Sequence, residues 1–136
     1  MVFGANQNHT IEIYTVMIDE KAINGAWENA TKVDNFDPNQ FRKDPCGAWI
    51  IRNHYGQRTS IYGWEVDHVY PQSLGGGDDS DNLRAMQWEN NLSKGDDYPS
   101  YNAVVQSDGN KNIRQEGQFT VNEALRDTLK TLYDIK

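Results

Sequence analysis

Apolar positions along the chain follow two different periods. Between Asp19 and Thr31, Ala22, Ile23, Ala26, Trp27 and Ala30 recur at helical spacing, and Asp19 stands where an N-cap belongs. This predicts an N-terminal helix over 19–31, weakened a little by Gly25. Ile11 to Ile18 is mostly apolar and β-branched, and reads as a strand or an early helical turn. Residues 32–45 hold Asx clusters, Pro38 and Pro45, the composition of a loop. Ala48-Trp49-Ile50-Ile51 and Ile61 to Val69 are strand-like runs on either side of a turn at 53–59 containing Gly56, so 48–69 reads as a hairpin. Pro71 to Asp81 is a loop with three consecutive glycines. A short helix is expected over 87–94, with Trp88, Asn91 and Leu92 on one face and Gly95 at its end. Asp96 to Asn112 is polar and reads as turns. Thr120-Val-Asn-Glu123 has the form of a capping box. Val121, Leu125, Leu129 and Leu132 then make the core-facing stripe of a C-terminal helix over 120–133.

Composition narrows the class. With 136 residues, 37% hydrophobic and 24% charged, the chain has the size and balance of one globular domain, 1–136. Its single cysteine, Cys46, excludes an internal disulfide framework and a cysteine-based zinc knuckle, and is expected to be a small packed residue. No apolar run approaches the length of a membrane span. The first ten residues lack the basic-then-apolar order of a secretory signal, so the default expectation is a cytoplasmic protein, with export by a route needing no such signal left open.

The net charge of −7 argues against a strong affinity for nucleic acid. The charge is uneven, however. Residues 47–63 hold two arginines and no acid, whereas 64–98 hold eight acids against Arg84 and Lys94. Such a segment is either a bare acidic surface or a site that expects a cation.

The same segment holds the richest motif: Trp64-Glu-Val-Asp67-His68-Val-Tyr-Pro71-Gln-Ser-Leu-Gly75-Gly-Gly, then Asp81-Asn82-Leu83, then Asn90-Asn91-Leu-Ser-Lys94-Gly95-Asp96. Hydrolysis of a phosphodiester needs a base for water and a cation for the phosphate charge. His68 is the side chain able to take a proton near neutral pH, and Asp67 offers a hard oxygen to a hard cation. Neighbours on a regular strand point to opposite faces, so the pair can serve one phosphate only where the strand ends. Pro71 and Gly75-Gly76-Gly77 place that end just beyond it.

These residues resemble the motif of the HNH endonucleases over about 46–98. The matching elements are Asp-His, Pro three residues on, a Gly-rich loop, Asn-Leu fourteen residues after the His, and Asn with Lys-Gly nine to thirteen residues later. They are also similar to the nuclease domain of RNA-guided DNA-cutting effectors. The resemblance implies an α+β fold: a ββα-metal (His-Me finger) HNH core with flanking N- and C-terminal helices. It implies a metal-dependent endonuclease acting on nucleic acid, with DNA favoured, and leaving a 5′-phosphate and a 3′-hydroxyl. His68 would be the general base. Asn82 and Asn91, nine residues apart, cannot share a face of one helix. By resemblance Asn82 braces the loop behind His68, while Asn91, rather than its neighbour Asn90, joins Asp67 as a metal ligand.

Many relatives carry His at the third motif position, where this chain has Asn91. One carboxylate and one amide make an open oxygen site suited to Mg²⁺ or Mn²⁺ rather than zinc or nickel, and no structural zinc is expected. Arg52, His54, Arg58, Arg84 and Lys94 are candidates for holding substrate phosphates. The acidic excess predicts weak non-specific affinity, so tight binding would draw on a partner domain or protein. Two alternatives remain open: a non-catalytic nucleic-acid-binding or scaffold module on the same framework, and a delivered toxin domain with a neutralising immunity protein. Oligomeric state is not encoded in any of these features.

Overall fold

The computed structural model describes residues 20–136. The segment 11–18 and the Asp19 cap lie outside the described residues. In chain order the elements are helix α1 (20–28), strands β1 (Phe41–Lys43), β2 (Trp49–Ile51), β3 (Trp64–His68) and β4 (Leu83–Gln87), helix α2 (Trp88–Lys94), strands β5 (Ser100–Asp108) and β6 (Lys111–Thr120), and helix α3 (Glu123–Tyr133). The architecture is mixed α and β. Among the described residues the strands form three two-stranded antiparallel sheets, β1–β2, β3–β4 and β5–β6.

This pairing corrects the expected 48–69 hairpin. β2 pairs with β1, in register Arg42↔Ile50, and β3 pairs with β4, in register Asp67↔Arg84. The β1–β2 turn is closed by Asp44, whose Oδ1 accepts from the Cys46 and Ala48 amides at 2.8 and 2.9 Å, an Asx turn that Gly47 completes at φ 85°. The run 48–69 is instead broken at Arg52–His54 by a single 3₁₀ turn. The stretch 96–112, expected to be turns, is mostly strand. Tyr101, Ala103 and Val105 are buried at alternate positions of β5, the period-2 pattern of a sheet with one face in a core.

β4 is buried along its whole length and separates two apolar clusters. Leu83 and Ala85 join Ala26, Trp27, Ala30, Ile50 and Trp64 on one side. Met86 joins Cys46, Val69, Tyr101, Ala103, Val121 and Leu129 on the other. The alternation of side chains along one strand thus serves both clusters. Trp27 and Trp64 pack at 5.3 Å between ring centroids, and burying a ring of that size contributes on the order of 4–5 kcal/mol before entropy is counted.

The helices follow the predicted stripes with adjusted ends. α1 occupies 20–28 within the expected 19–31 and buries Ala26 and Trp27. α3 starts at Glu123 because Asn122, not Thr120, is its N-cap: the Asn122 side chain accepts from the Leu125 amide at 2.8 Å. Leu129 is fully buried, whereas Leu132 is exposed, so the stripe is shorter than its spacing suggested. In α2 the buried face is polar, formed by Asn90 and Lys94, while Leu92 faces out; the expected Trp88–Asn91–Leu92 face is not the core face. Gly95 ends α2 by donating its amide to Asn91 O. The Cys46 thiol is buried, and burial together with Asp44 pushes its pKa up to about 12, in line with a packed residue.

Candidate active site

β3 ends at His68, where the pattern required a strand end, and Val69 makes the last backbone contact to Asn82 O at 2.9 Å. From there the chain turns through a loop whose shape depends on two residues. Asn82 is fully buried: its Oδ1 accepts from the Tyr70 amide at 2.7 Å, and its Nδ2 donates to Tyr70 O at 3.1 Å and Gly77 O at 2.9 Å. A Cβ on Gly76 would lie 1.8 Å from Tyr70 O, so no other residue fits there without moving backbone. Asn82 therefore ties together the two ends of the loop that follows His68.

α2 runs back across β3 directly after β4, and this order of strand, strand and helix creates a concave site. A cavity of about 220 Å³ is lined by Val66, Asp67, His68, Pro71, Gln72, Asn91, Gly95 and Asp96. Asp67, His68 and Asn91 thus share one cavity although Asn91 is remote from the other two in the chain. Asn91 Nδ2 donates to Glu65 Oε1 at 3.2 Å; among the described residues its amide oxygen accepts no hydrogen bond. Asn90, the alternative at this register, points the other way and is fully buried against β5.

Asp67 is 4% exposed and lies between two cations. Arg84 Nε reaches its Oδ2 at 2.9 Å, and Lys94 Nζ reaches its Oδ1 at 3.2 Å while also donating to His68 O at 3.2 Å. Burial opposes the charge on Arg84, but Asp67, Tyr101 and Cys46 together hold the guanidinium above its ordinary value. Burial pushes the Lys94 ammonium below the usual lysine range, with Asp67 pulling the other way. Among the described residues Arg84 Nη2 has no hydrogen-bond partner, and the guanidinium lies 5.2 Å over the Tyr101 ring.

The other predicted phosphate-binding residues fall elsewhere. Arg58 forms a bidentate pair with Glu65, at 2.8 and 3.0 Å, the same carboxylate that accepts from Asn91. Arg52 bonds Asn24 and packs over the Trp27 and Trp64 rings. His54 bonds Ser60 through Nδ1 at 2.8 Å. Neither Arg52 nor His54 lines the cavity.

Sequence reasoning missed Glu65, Asp96, Gln72 and Asp78. Glu65 was recoverable, since it lies two residues before Asp67 and therefore on the same face of β3. Asp78 belongs to the loop expected over 71–81; in the structure its Oδ1 lies 2.7 Å from His68 Nε2. Nothing in the local sequence distinguishes it from Asp79 or Asp81. Compared with known proteins, the chain matches no family model, no curated protein and no solved structure. Among the described residues no helix is long and apolar enough to cross a membrane.

Proposed function

We propose that the chain is a metal-dependent nuclease of the HNH type, hydrolysing phosphodiester bonds of nucleic acid, with DNA the favoured substrate. The observation that carries this reading is the shared cavity of Asp67, His68 and Asn91, lined from β3, the loop after it and α2, in a chain order of β3, β4 and α2 that is the one expected of a ββα-metal unit.

The chemistry follows from the side chains. His68, at the end of β3 and partly open to solvent, takes a proton from water as the oxygen attacks phosphorus. The new P–O bond forms as the bond to the 3′ oxygen breaks, and that oxygen takes a proton from solvent. Asn82 holds the loop so that His68 keeps its place. Asp67 and Asn91 would hold Mg²⁺ or Mn²⁺, which when bound supplies positive charge to the phosphate oxygens.

The donor set fits such an ion. Each Asp67 oxygen accepts from one cation and keeps further acceptor capacity, and the Asn91 oxygen is open. Among the described residues no group of three or more His, Cys, Asp and Glu is arranged for a metal. With only two protein oxygens, the remaining ligands would come from water and substrate, the usual habit of Mg²⁺. Arg84 and Lys94 offset the charge of Asp67, so the ion would be held weakly.

The test is a nicking assay on plasmid DNA with Mg²⁺ or Mn²⁺, extended to single-stranded DNA and RNA. Wild-type protein is expected to cut, with activity lost in excess EDTA and in His68→Ala. Undiminished cleavage in either case refutes the reading. The neutralisation of Asp67 by two buried cations favours a second reading, a non-catalytic binding module. Calorimetry separates the two: the module would bind no divalent ion and cut nothing.

A further inference from the structure

The loop between β3 and β4 makes a contact that the proton transfer described above does not account for. His68 Nε2 and Asp78 Oδ1 lie 2.7 Å apart, with the imidazole 22% and the carboxylate 67% exposed. A side-chain pair this exposed contributes little to stability, so folding energy does not explain it. The loop that presents Asp78 is nevertheless held from both sides. Gly77 O accepts from buried Asn82, and Gly76 donates its amide to Pro71 O at 2.9 Å. On the far side Tyr133, at the end of α3, donates its hydroxyl to Asp79 Oδ2 at 2.8 Å, and its ring stacks on Tyr70 at 5.9 Å. Of the three loop aspartates, Asp79 is engaged by α3, Asp81 is exposed, and Asp78 alone is paired with His68.

We propose that Asp78 is the positioning residue for His68, and that α3 braces the loop that carries it. This deepens the nuclease reading and rests on it. The carboxylate accepts from Nε2–H and so keeps that nitrogen as the protonated end of the ring. Nδ1 is then the nitrogen with a free lone pair. When Nδ1 takes the proton of the attacking water, Asp78 stays an unprotonated carboxylate and stabilises the imidazolium through the same bond. The role requires a carboxylate at this point of the loop and no contact between Asp78 and substrate.

The experiment compares wild-type protein with Asp78→Ala, Asp78→Asn, Asp78→Glu and the control Asp81→Asn, which removes the same charge from the same loop. Cleavage of a defined DNA substrate with Mn²⁺ is followed for kcat and KM. Asp78→Ala and Asp78→Asn are expected to lose about 10- to 100-fold in kcat with KM nearly unchanged, Asp78→Glu to recover part of the loss, and Asp81→Asn to behave as wild type. In parallel, ¹⁵N-labelled protein is examined for the imidazole N–H resonance of His68. It should be present in wild type and Asp78→Glu and lost in Asp78→Ala. If wild type cuts and Asp78→Ala stays within about twofold of its kcat, or if the resonance is unaffected, this inference fails and the nuclease reading stands. If wild type cuts nothing, the nuclease reading fails and this inference fails with it.

Discussion

Asn90 and Asn91 are adjacent on α2, chemically identical and assigned opposite work, so exchanging each for alanine separates the site from its scaffold. Asn90 is fully buried, and its side chain makes four hydrogen bonds. Its Nδ2 donates to Asp44 Oδ2 at 3.1 Å and to Val105 O at 2.8 Å, and its Oδ1 accepts from the Val104 and Val105 amides, each at 2.9 Å. It thereby satisfies the β5 backbone where the β5–β6 register shifts, between Ala103 and Val105. At about 1 kcal/mol net per bond, Asn90→Ala should cost about 4 kcal/mol. That is a large fraction of the roughly 5–15 kcal/mol that a domain has. With a urea m-value of about 2 kcal/mol per M, the unfolding midpoint should fall by about 2 M at unchanged m. Asn91 makes one half-buried bond, to Glu65 at 3.2 Å, and Asn91→Ala should stay within about 0.5 kcal/mol of wild type. Its effect belongs to activity, which should drop by roughly 100-fold or more. Urea unfolding followed by tryptophan fluorescence, alongside the nicking assay, reads both quantities. An Asn90→Ala protein within about 1 kcal/mol of wild type, or an Asn91→Ala protein as unstable as Asn90→Ala, would refute this division.

Three further outcomes are expected. Gly76→Ala forces a methyl against Tyr70 O and should destabilise the protein by about 2–3 kcal/mol, opening the 71–82 loop to limited proteolysis; an unchanged digestion pattern would count against the close approach. Asn122→Ala removes the α3 cap and should cost about 1 kcal/mol, read as a small drop in Tm, whereas Thr120→Ala should not shorten the helix. Cys46, with its thiol pushed up to about 12, should be almost wholly protonated at pH 8 and inert to a disulfide reagent in native protein. It should react promptly once urea unfolds the chain, and rapid labelling of folded protein would show that the thiol is not packed as described.

How the site arises divides along a clear line. Local pattern was enough to place Asp67-His68 at the end of a strand, because Pro71 and the three glycines stop β3 at once. It was enough for α1 and α3, whose apolar stripes are properties of single segments, and for the end of α2 at Gly95. Pairing was another matter. Trp49–Ile51 and Trp64–His68 are both good strands and close in sequence, yet they belong to different sheets. The partner of β3 is β4, which carries Arg84 and is buried on both faces, so it shows neither alternation nor a purely apolar run. β5 does alternate, but its outward Asn and Ser residues read as turns until Tyr101, Ala103 and Val105 find a core to enter.

By itself, then, the amino-acid order determined that Asp67 and His68 stand at the end of a strand and that a Gly-rich loop follows them. Only tertiary structure decided what surrounds them: Arg84 and Lys94 turned inward onto Asp67, Asn90 sent into the core and Asn91 to the cavity, and Asp78 drawn from an acidic loop to the imidazole of His68. The reason is physical. Periodicity reports a segment's own faces, whereas the charge and hydrogen-bond partners of a buried group come from elements far along the chain, and nothing local specifies them.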